Sequence, residues 1–216
     1  MPLSCAAPTA RAERPYRVAL GLLLLAFAAV RIPYQRRARH NAGLVIHREH
    51  DQHLAVHSVM LLAICAVARG YLRDAPWVRR FMLPLPVAAR WGGVFVAGMG
   101  LALVWRSHAA LEENFSAHLD IRAHHTLTRV GPYRLVRHPM YSGFLLLVVG
   151  GGLLSSNGLL LVTPLAAVGG VIARRVGKEE DQLREAFGEE YQAYMLWTGR
   201  FLPHLAAMFR QPEGVS

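Results

Sequence analysis

The sequence predicts an all-α integral membrane protein with about five transmembrane helices and a helical C-terminal region on the cytoplasmic side. Of its 216 residues, 53% are hydrophobic and only 18% are charged, against roughly 25% charged residues in ordinary soluble domains. The net charge is nevertheless +10, and the arginines stand in clusters between apolar runs, as in membrane spans bounded by basic loops. This alternation excludes a disordered chain and a basic nucleic-acid groove.

Five apolar runs are the candidate spans, at residues 16–30, 54–68, 83–105 (interrupted by Arg90), 141–154 and 159–173. Several contain only about 15 apolar residues, whereas about 20 are needed to cross a hydrocarbon core of ~30 Å. Flanking Arg, Trp and Tyr side chains extend such short spans by reaching the headgroup region. The alternative for short apolar helices is the buried core of a soluble helical bundle.

The residues at the borders of the runs indicate whether the first helix is retained and how the last two helices are connected. Arg11, Arg14 and Arg17 stand before and at the start of the first run, as in a secretory signal peptide, but no small-residue cleavage site follows, which favours a retained helix. The last two runs are separated by the polar tetrad Ser155-Ser156-Asn157-Gly158, which is typical of a tight turn. These two runs are therefore predicted to form a helical hairpin.

The distribution of Arg and Lys predicts the orientation. With five spans and a cytoplasmic C-terminus, 16 basic residues fall on the cytoplasmic side and 8 on the other side, when Arg17 and Arg90, which lie inside the first and third runs, are counted with the latter. This twofold excess follows the positive-inside rule. Together with the Arg- and Ala-rich composition, it predicts a multi-pass protein of a bacterial inner membrane with a cytoplasmic C-terminus.

Polar motifs are concentrated in the second half of the chain. We accordingly divide the sequence into residues 1–105, with about three membrane helices, and residues 106–216, which hold these motifs. Pro132 and Pro139 each lack a backbone N–H and disfavour helix in the preceding residue. His138 is therefore predicted to lie in a non-helical elbow before the fourth span, where its imidazole can contact a ligand.

A second polar cluster follows the fifth apolar run. Arg175 and Glu179 are four residues apart and therefore share one face of a predicted helix. They form either a surface ion pair, worth under ~1 kcal/mol, or part of a functional site at the end of the span. Beyond them, an amphipathic helix is predicted from four residues at helical spacing, Leu183, Phe187, Tyr191 and Tyr194.

The order of these motifs is GPYRLVRHPMYSG at 131–143, Glu179-Glu180, FGEEY at 187–191 and Phe201-Leu202-Pro203. In this order the motifs resemble the isoprenylcysteine carboxyl methyltransferase family, which is related to the phospholipid methyltransferases. The likeness extends from about residue 105 to residue 203, nearly half of the chain. The family resemblance implies a multi-span enzyme whose cytoplasmic C-terminal helical region binds S-adenosylmethionine.

The resemblance also implies roles for particular residues. Members of the family bind the cofactor through residues that are here His125, Thr126, Leu127, Thr128, Tyr133, His138, Pro139, Met140, Tyr141 and Glu179. Arg175 is implied to contact the carboxylate end of the substrate, and Arg175, Glu179 and His138 form the implied catalytic set. The segments at 112–116 and 128–129 depart from the common family pattern, which leaves the exact wall of the pocket open.

The implied reaction is carboxyl O-methylation of an isoprenylcysteine-like or other lipophilic acceptor, either a small molecule or a prenylated protein, within the lipid bilayer. Phospholipid amines and small thiols are alternative acceptors, and the oligomeric state is undetermined. No nucleic-acid partner is expected. A soluble Rossmann-type methyltransferase is not supported, because the glycines at 150–152 lie inside an apolar run and not in a loop between strand and helix.

The eleven histidines suggest a different function, that of a His-rich metal-dependent membrane enzyme. The relevant residues are His47, His50, His53, His57, His118, His124 and His125, of which His50, His53 and His57 could share a helix face. No set of acidic ligands accompanies them in the sequence. Histidines among lipid headgroups are therefore the preferred interpretation, and no metal site is predicted.

Overall fold

The computed structural model describes residues 10–40, 54–111 and 127–204, and its regular structure there is helical. In chain order the helices are α1 (Ala10–His40), α2 (Leu54–Leu72), the short α3 (Pro76–Arg79), α4 (Val87–Leu111), α5 (Pro139–Ser155) and α6 (Gly158–Trp197). A 3-10 turn at Gly131–Arg134 precedes α5. For the described residues, the predicted all-α class is confirmed.

Each of the five predicted spans corresponds to one apolar helix. By length and composition, α1, α4 and α6 can each cross a membrane, whereas the apolar parts of α2 and α5, at 58–72 and 139–155, are shorter. Leu25 on α1 and Leu62 on α2 are both 68% exposed, as expected of side chains that contact lipid. The protein is thus a multi-pass membrane protein, while the number of five spans and the orientation stay predictions.

The chain forms two compact units, which we describe separately. The first unit comprises Met1–Ala29, Asp51–Met99 and Leu145–Val168, and the second comprises Val30–His50, Gly100–Phe144 and Gly169–Ser216. The predicted functional division at residue 105 concerns activity and stays a prediction.

The first unit contains a buried ion pair beside its apolar core. Arg90 donates hydrogen bonds of 2.7 Å to both carboxylate oxygens of Glu13, and these residues are only 7% and 3% exposed. The Arg90 guanidinium also lies 3.4 Å from the centroid of the Tyr16 ring. Arg90 therefore does not interrupt the third apolar run, because α4 continues through it and Glu13 matches its charge.

The helical hairpin predicted at residues 155–158 is present in the first unit. Ser156 has a φ of 50°, and α6 begins two residues later. The side-chain oxygen of Asn157 accepts hydrogen bonds from the backbone N–H groups of Leu159 (3.1 Å) and Leu160 (3.3 Å), which caps the start of α6. The Asn157 amide nitrogen donates to the carbonyl of Val78 at 2.9 Å, so the turn is also attached to α3.

Close contact between α4 and α5 depends on glycine. In the first unit, a Cβ placed on Gly93 would lie 2.6 Å from the carbonyl oxygen of Gly150. In the second unit, a Cβ on Gly143 would lie 2.9 Å from the carbonyl oxygen of Gly100. Small residues at such positions allow helix backbones to approach closely, which is a common basis of helix association in membranes.

The predicted amphipathic helix is the C-terminal part of α6 and not a separate element. Gly188 interrupts it with a φ of 48° and a ψ of −123°, a left-handed conformation that glycine adopts without steric cost. Beyond this kink, Tyr191 and Tyr194 are buried in the second unit. The predicted apolar face is therefore confirmed at these two tyrosines.

Candidate active site

The elbow before α5 is held by hydrogen bonds to the segment 199–201. The backbone N–H groups of Arg137 and His138 donate to the carbonyls of Gly199 (2.8 Å) and Arg200 (3.0 Å). The Ser142 hydroxyl donates to the carbonyl of Phe201 at 2.6 Å. His138 is outside any helix, as predicted, and these bonds satisfy backbone groups that the two prolines leave without helical partners.

The 3-10 turn at Gly131–Arg134 places Tyr133 in the second unit. Gly131 begins this turn with a φ of 57°, which glycine accepts readily. The backbone carbonyl of Tyr133 accepts a hydrogen bond of 2.6 Å from the hydroxyl of Tyr194. Burial raises the pKa of the Tyr133 phenol, so this side chain remains neutral at physiological pH.

Glu179 is the centre of the cluster that the sequence predicted. The Tyr141 hydroxyl donates a hydrogen bond of 2.8 Å to Glu179 Oε1. His138 Nδ1 lies 3.6 Å from Glu179 Oε2, and Arg175 Nε lies 3.5 Å from Glu179 Oε1. The structure thus brings together His138, Tyr141, Arg175 and Glu179, which come from the elbow, α5 and α6. The Glu179 side chain is 20% exposed, so a ligand can reach it.

The neighbouring Glu180 has a different environment. It is only 1% exposed and accepts hydrogen bonds of 3.1 Å from both Arg137 Nε and Arg200 Nε, while His138 Nε2 lies 3.3 Å from its Oε1 atom. Sequence reasoning missed Arg200, although this arginine directly precedes the recognised Phe201-Leu202-Pro203 motif. Glu180 is therefore a buried anchor that links α6 to the elbow and to the 199–201 segment.

His138 is a neutral imidazole between these two carboxylates. Its side chain is 6% exposed, and burial lowers the pKa of His138 to about 4, although the Glu180 carboxylate opposes this shift. Its ring centroid lies 5.9 Å from that of Tyr141 and 6.0 Å from that of Phe201. The imidazole therefore adds no positive charge beside Glu179 at physiological pH.

The remaining predicted residues are distributed as follows. Leu127 and Thr128 lie in the irregular segment before the 3-10 turn, and Pro139 and Met140 begin α5. His125 and Thr126 lie outside the described residues, as do residues 112–116. Of the histidines considered for metal binding, His47, His50, His53, His118 and His124 also lie outside them, and nothing is described of the His57 side chain. Within the described ranges, no group of His, Cys, Asp and Glu residues is suited to a metal.

The cluster offers partners for charged ligand groups of both signs. Glu179, with Tyr141 beside it, offers a carboxylate and an aromatic face, both of which attract cations. Arg175 Nε is buried and donates no hydrogen bond within the described part of the chain. A buried donor of this kind is stabilised when it receives an acceptor oxygen. An anionic ligand group can thus approach Arg175 and a cationic one Glu179, and these two residues lie 3.5 Å apart.

Comparisons with known proteins show which families this chain is similar to. A family model described as phospholipid methyltransferase matches residues 88–190. The probable protein-S-isoprenylcysteine O-methyltransferase of Oryza sativa subsp. indica is 37% identical over 109 residues, which cover 46% of this chain and 57% of that relative. The resemblance to the isoprenylcysteine carboxyl methyltransferase family is confirmed. Protein-S-isoprenylcysteine O-methyltransferase B of Arabidopsis thaliana is also 37% identical, over 77 residues that cover 33% of this chain and 36% of that relative.

A solved structure extends the likeness to the fold. The structure of the eukaryotic intramembrane Ras methyltransferase, an isoprenylcysteine carboxyl methyltransferase, matches 86% of this chain and 68% of its own chain with a TM-score of 0.57. Sequence identity is 17%, so this match concerns the fold alone. The present chain spans little more than half the length of the rice relative, at 57%.

Proposed function

We propose that the protein is a membrane methyltransferase that uses S-adenosylmethionine to methylate the carboxylate of an isoprenylcysteine-like or other lipophilic acceptor. The observation that carries this proposal is that His138, Tyr141 and Arg175 all lie against the accessible carboxylate of Glu179. These are four of the residues that the family resemblance implies. They lie up to 41 positions apart in the chain and meet only through the fold.

The cofactor side of the site consists of Glu179 with the tyrosines near it. S-adenosylmethionine supplies a preactivated methyl group on a sulfonium cation. Glu179 attracts the cofactor's positive charge, and the Tyr141 hydroxyl fixes the orientation of that carboxylate. Aromatic faces such as that of Tyr141 add cation–π attraction of about 0.5–2 kcal/mol. The neutral state of His138 matters here, because an imidazolium beside Glu179 would compete with the cofactor's cationic groups for this carboxylate.

The acceptor side of the site is assigned to Arg175. Its guanidinium presents a planar fork that matches a carboxylate. An ionised carboxylate is already a nucleophile: its oxygen forms the new bond to the methyl carbon while the carbon–sulfur bonding pair returns to sulfur. No general base is required, so the protein acts by holding donor and acceptor in line, a contribution of roughly 7–11 kcal/mol in favourable cases.

The membrane setting suggests the routes of access. A lipophilic acceptor enters laterally from the bilayer, and the water-soluble cofactor enters from the cytoplasm, where we place the C-terminus. The excess of basic residues on this side, 16 against 8, supports that orientation. We place the protein in a bacterial inner membrane, in keeping with its composition.

A phospholipid amine is the second candidate acceptor, because the matching family model is described as phospholipid methyltransferase. An ammonium group must lose a proton before it can attack the methyl carbon. Within the described cluster, the neutral imidazole of His138 or the carboxylate of Glu180 would have to accept this proton. The nature of the product therefore distinguishes the two candidates: a methyl ester is labile to base, whereas a methylated amine is stable.

The test is to measure S-adenosylmethionine binding and methyl transfer from labelled S-adenosylmethionine to prenylcysteines, thiols and membrane lipids, with the protein purified in detergent. Replacing Glu179 with Gln should weaken cofactor binding about tenfold or more, because the buried cationic groups lose their counter-charge. Asp181→Asn is the matched control, since Asp181 is 73% exposed and only two residues away. The proposal is wrong if the parent protein binds no cofactor, and the carboxyl assignment is wrong if the transferred label resists base.

A further inference from the structure

The first unit contains a concentration of arginines that lies outside the candidate active site. Its described residues include eight arginines and only two acidic residues, Glu13 and Asp74. These eight are the basic residues that the predicted orientation places on the side opposite the C-terminus, where the positive-inside rule expects few. Arginines on that side therefore need a local reason, and the binding of an anion would supply one.

An open pocket lies between the start of α1, the end of α2 and α3, and we call it the arginine pocket. Its charged lining consists of Glu13, Arg17, Asp74 and Arg79. The guanidinium carbon of Arg17 lies 5.8 Å from the centroid of the Tyr71 ring, which belongs to the same lining. Because the pocket is open, a ligand can reach these side chains from outside the unit.

Asp74 joins the two arginines of the pocket. It accepts a hydrogen bond of 2.6 Å from Arg79 Nε, a second from Arg79 Nη2 and a third from Arg17 Nη2. The Arg17 Nε atom is buried and donates no hydrogen bond within the described part of the chain. One carboxylate thus pairs with two guanidinium groups of five N–H donors each, which leaves N–H donors and one positive charge for a further anion.

Glu13 does not cancel this remaining positive charge. Arg90 donates hydrogen bonds of 2.7 Å to both carboxylate oxygens of Glu13 and so matches its charge. The Tyr71 hydroxyl also donates to Glu13, at 3.3 Å. The three arginines and two carboxylates of this region therefore carry a net charge of +1. A region of this kind attracts an anion.

The rim of the arginine pocket indicates that the anion belongs to a lipid. Trp77 and Phe81 stand on either side of Arg79 in the chain, and they are 45% and 46% exposed. Aromatic side chains interspersed with arginines are typical of the membrane–water interface, where arginine reaches the phospholipid headgroups. We therefore expect the pocket to open at the level of these headgroups.

We propose that the arginine pocket binds the phosphate of an anionic phospholipid, and that Arg17 and Arg79 contact this phosphate. Phosphate oxygens accept short, charge-assisted hydrogen bonds from guanidinium N–H groups, and the planar fork of arginine matches two such oxygens. The inference does not depend on the proposed methyltransferase function, because these residues belong to the first unit and the candidate active site belongs to the second.

The test measures lipid binding to the full chain in detergent by native mass spectrometry. The probes are phosphatidylglycerol, phosphatidylcholine and diacylglycerol with identical acyl chains. Phosphatidylglycerol has one net negative charge, phosphatidylcholine adds a cation, and diacylglycerol lacks the phosphate. The parent protein should bind phosphatidylglycerol at least about fivefold more tightly than phosphatidylcholine, and diacylglycerol most weakly. Equal affinities for phosphatidylglycerol and either of the other lipids would overturn the inference.

A competition experiment separates a lipid phosphate from a free one. Inorganic phosphate and glycerol 3-phosphate carry the same chemical group without acyl chains, and they are added at constant ionic strength. Neither should displace bound phosphatidylglycerol at an equal concentration, because a free anion lacks the acyl chains that remain in the membrane phase. Displacement at an equal concentration would assign the pocket to a free anion and overturn the assignment to a lipid.

Two variants should change phosphatidylglycerol affinity in opposite directions. Arg17→Gln removes a phosphate donor and should weaken binding about tenfold. Asp74→Asn removes the competing carboxylate and should strengthen binding about fivefold. A purely structural role of the Arg17–Asp74 pair would make both variants bind more weakly or leave both unchanged, and either result would overturn the inference.

Further variants control for net charge and for folding. Arg36→Gln changes an exposed arginine of the same helix as Arg17, outside the first unit, and should leave phosphatidylglycerol affinity unchanged. An equal loss in Arg36→Gln and Arg17→Gln would mean that only overall charge matters, which contradicts a defined site. Should Arg17→Gln not fold, Arg79→Gln decides, because this side chain is 47% exposed and its loss should weaken binding about fivefold.

Discussion

Glu179 and Glu180 are adjacent in sequence, yet their side chains have opposite relations to solvent. Successive residues on a helix point about 100° apart, so one side chain reaches the accessible cluster while the other is buried. Glu180 is 1% exposed and bound by Arg137 and Arg200, whereas the Glu179 side chain is 20% exposed and bound by Tyr141. A carboxylate surrounded by arginines stabilises the fold, and an accessible one remains available to a ligand.

The buried state of His138 predicts how stability depends on pH. Its pKa is about 4 in the folded protein, against about 6.5 in an unfolded chain. Between these values the unfolded chain takes up a proton and the folded protein does not, so stability falls as the pH drops. From pH 7 to pH 5 this one group contributes a loss of about 2 kcal/mol.

The measurement is the apparent melting temperature in detergent at pH 7 and pH 5, for the parent protein and for His138→Asn. The loss of stability on acidification should be smaller in the variant, because asparagine does not titrate. Other groups titrate in both proteins and cancel in the comparison. Equal losses in the two proteins would show that His138 is not the group whose protonation destabilises the fold.

At the scale of secondary-structure elements, the contact between α4 and α5 depends on the lack of a side chain at Gly93. A Cβ there would lie 2.6 Å from both the Gly150 carbonyl oxygen and the Leu154 nitrogen. Gly93→Ala should therefore destabilise the protein by about 1–3 kcal/mol, since backbone atoms cannot move aside at low cost. The adjacent Gly92 has nothing within 4 Å of its Cβ position, so Gly92→Ala should be neutral or stabilising by up to about 1 kcal/mol.

The free energy of unfolding, measured by denaturant titration in mixed micelles, compares these two alanine variants directly. Both changes add the same methyl group to the same helix one residue apart, so helix propensity cancels. The close-approach interpretation requires the Gly93 variant to be the less stable of the two. Equal stabilities would mean that α4 and α5 separate easily.

The helices themselves were well predicted by the sequence, and their ends were predicted less well. The hairpin turn at residues 155–158 and the elbow at His138 follow from local chemistry, namely polar turn residues and prolines, and both are present. The first helix extends over Ala10–His40, beyond the apolar run at 16–30, because a helix continues through charged residues once it leaves the apolar region. Hydropathy marks the apolar part of such a helix and not its ends.

The kink at Gly188 shows a second limit. Phe187-Gly188 was recognised as part of a family motif, but the motif does not indicate the positive φ of 48° at Gly188. The buried tyrosines beyond it, Tyr191 and Tyr194, could be predicted from helical spacing because burial of one helix face follows a simple period. A change of direction within a helix has no such period.

At the scale of the whole molecule, the residues that hold each compact unit together are distant in sequence. In the second unit the motif residues of the candidate site could be predicted from the family resemblance, whereas the contact of Arg200 with Glu180 could not. In the first unit Glu13 and Arg90 are 77 residues apart, and neither lies in a motif. Pairing of isolated charges is decided by three-dimensional proximity, which a single sequence does not contain.

The Glu13–Arg90 pair should make a large contribution to stability. Removing one partner leaves a buried charge without a counter-charge, so Glu13→Leu and Arg90→Leu should each cost about 3–5 kcal/mol. The double variant should cost far less than the sum, because it leaves no buried charge, and this non-additivity is the signature to measure by denaturant titration. Arg79→Gln is the control: that arginine is 47% exposed and paired with Asp74, and should cost under about 1 kcal/mol. Additive losses in the double variant would contradict direct pairing, since each charge would then be stabilised independently of the other.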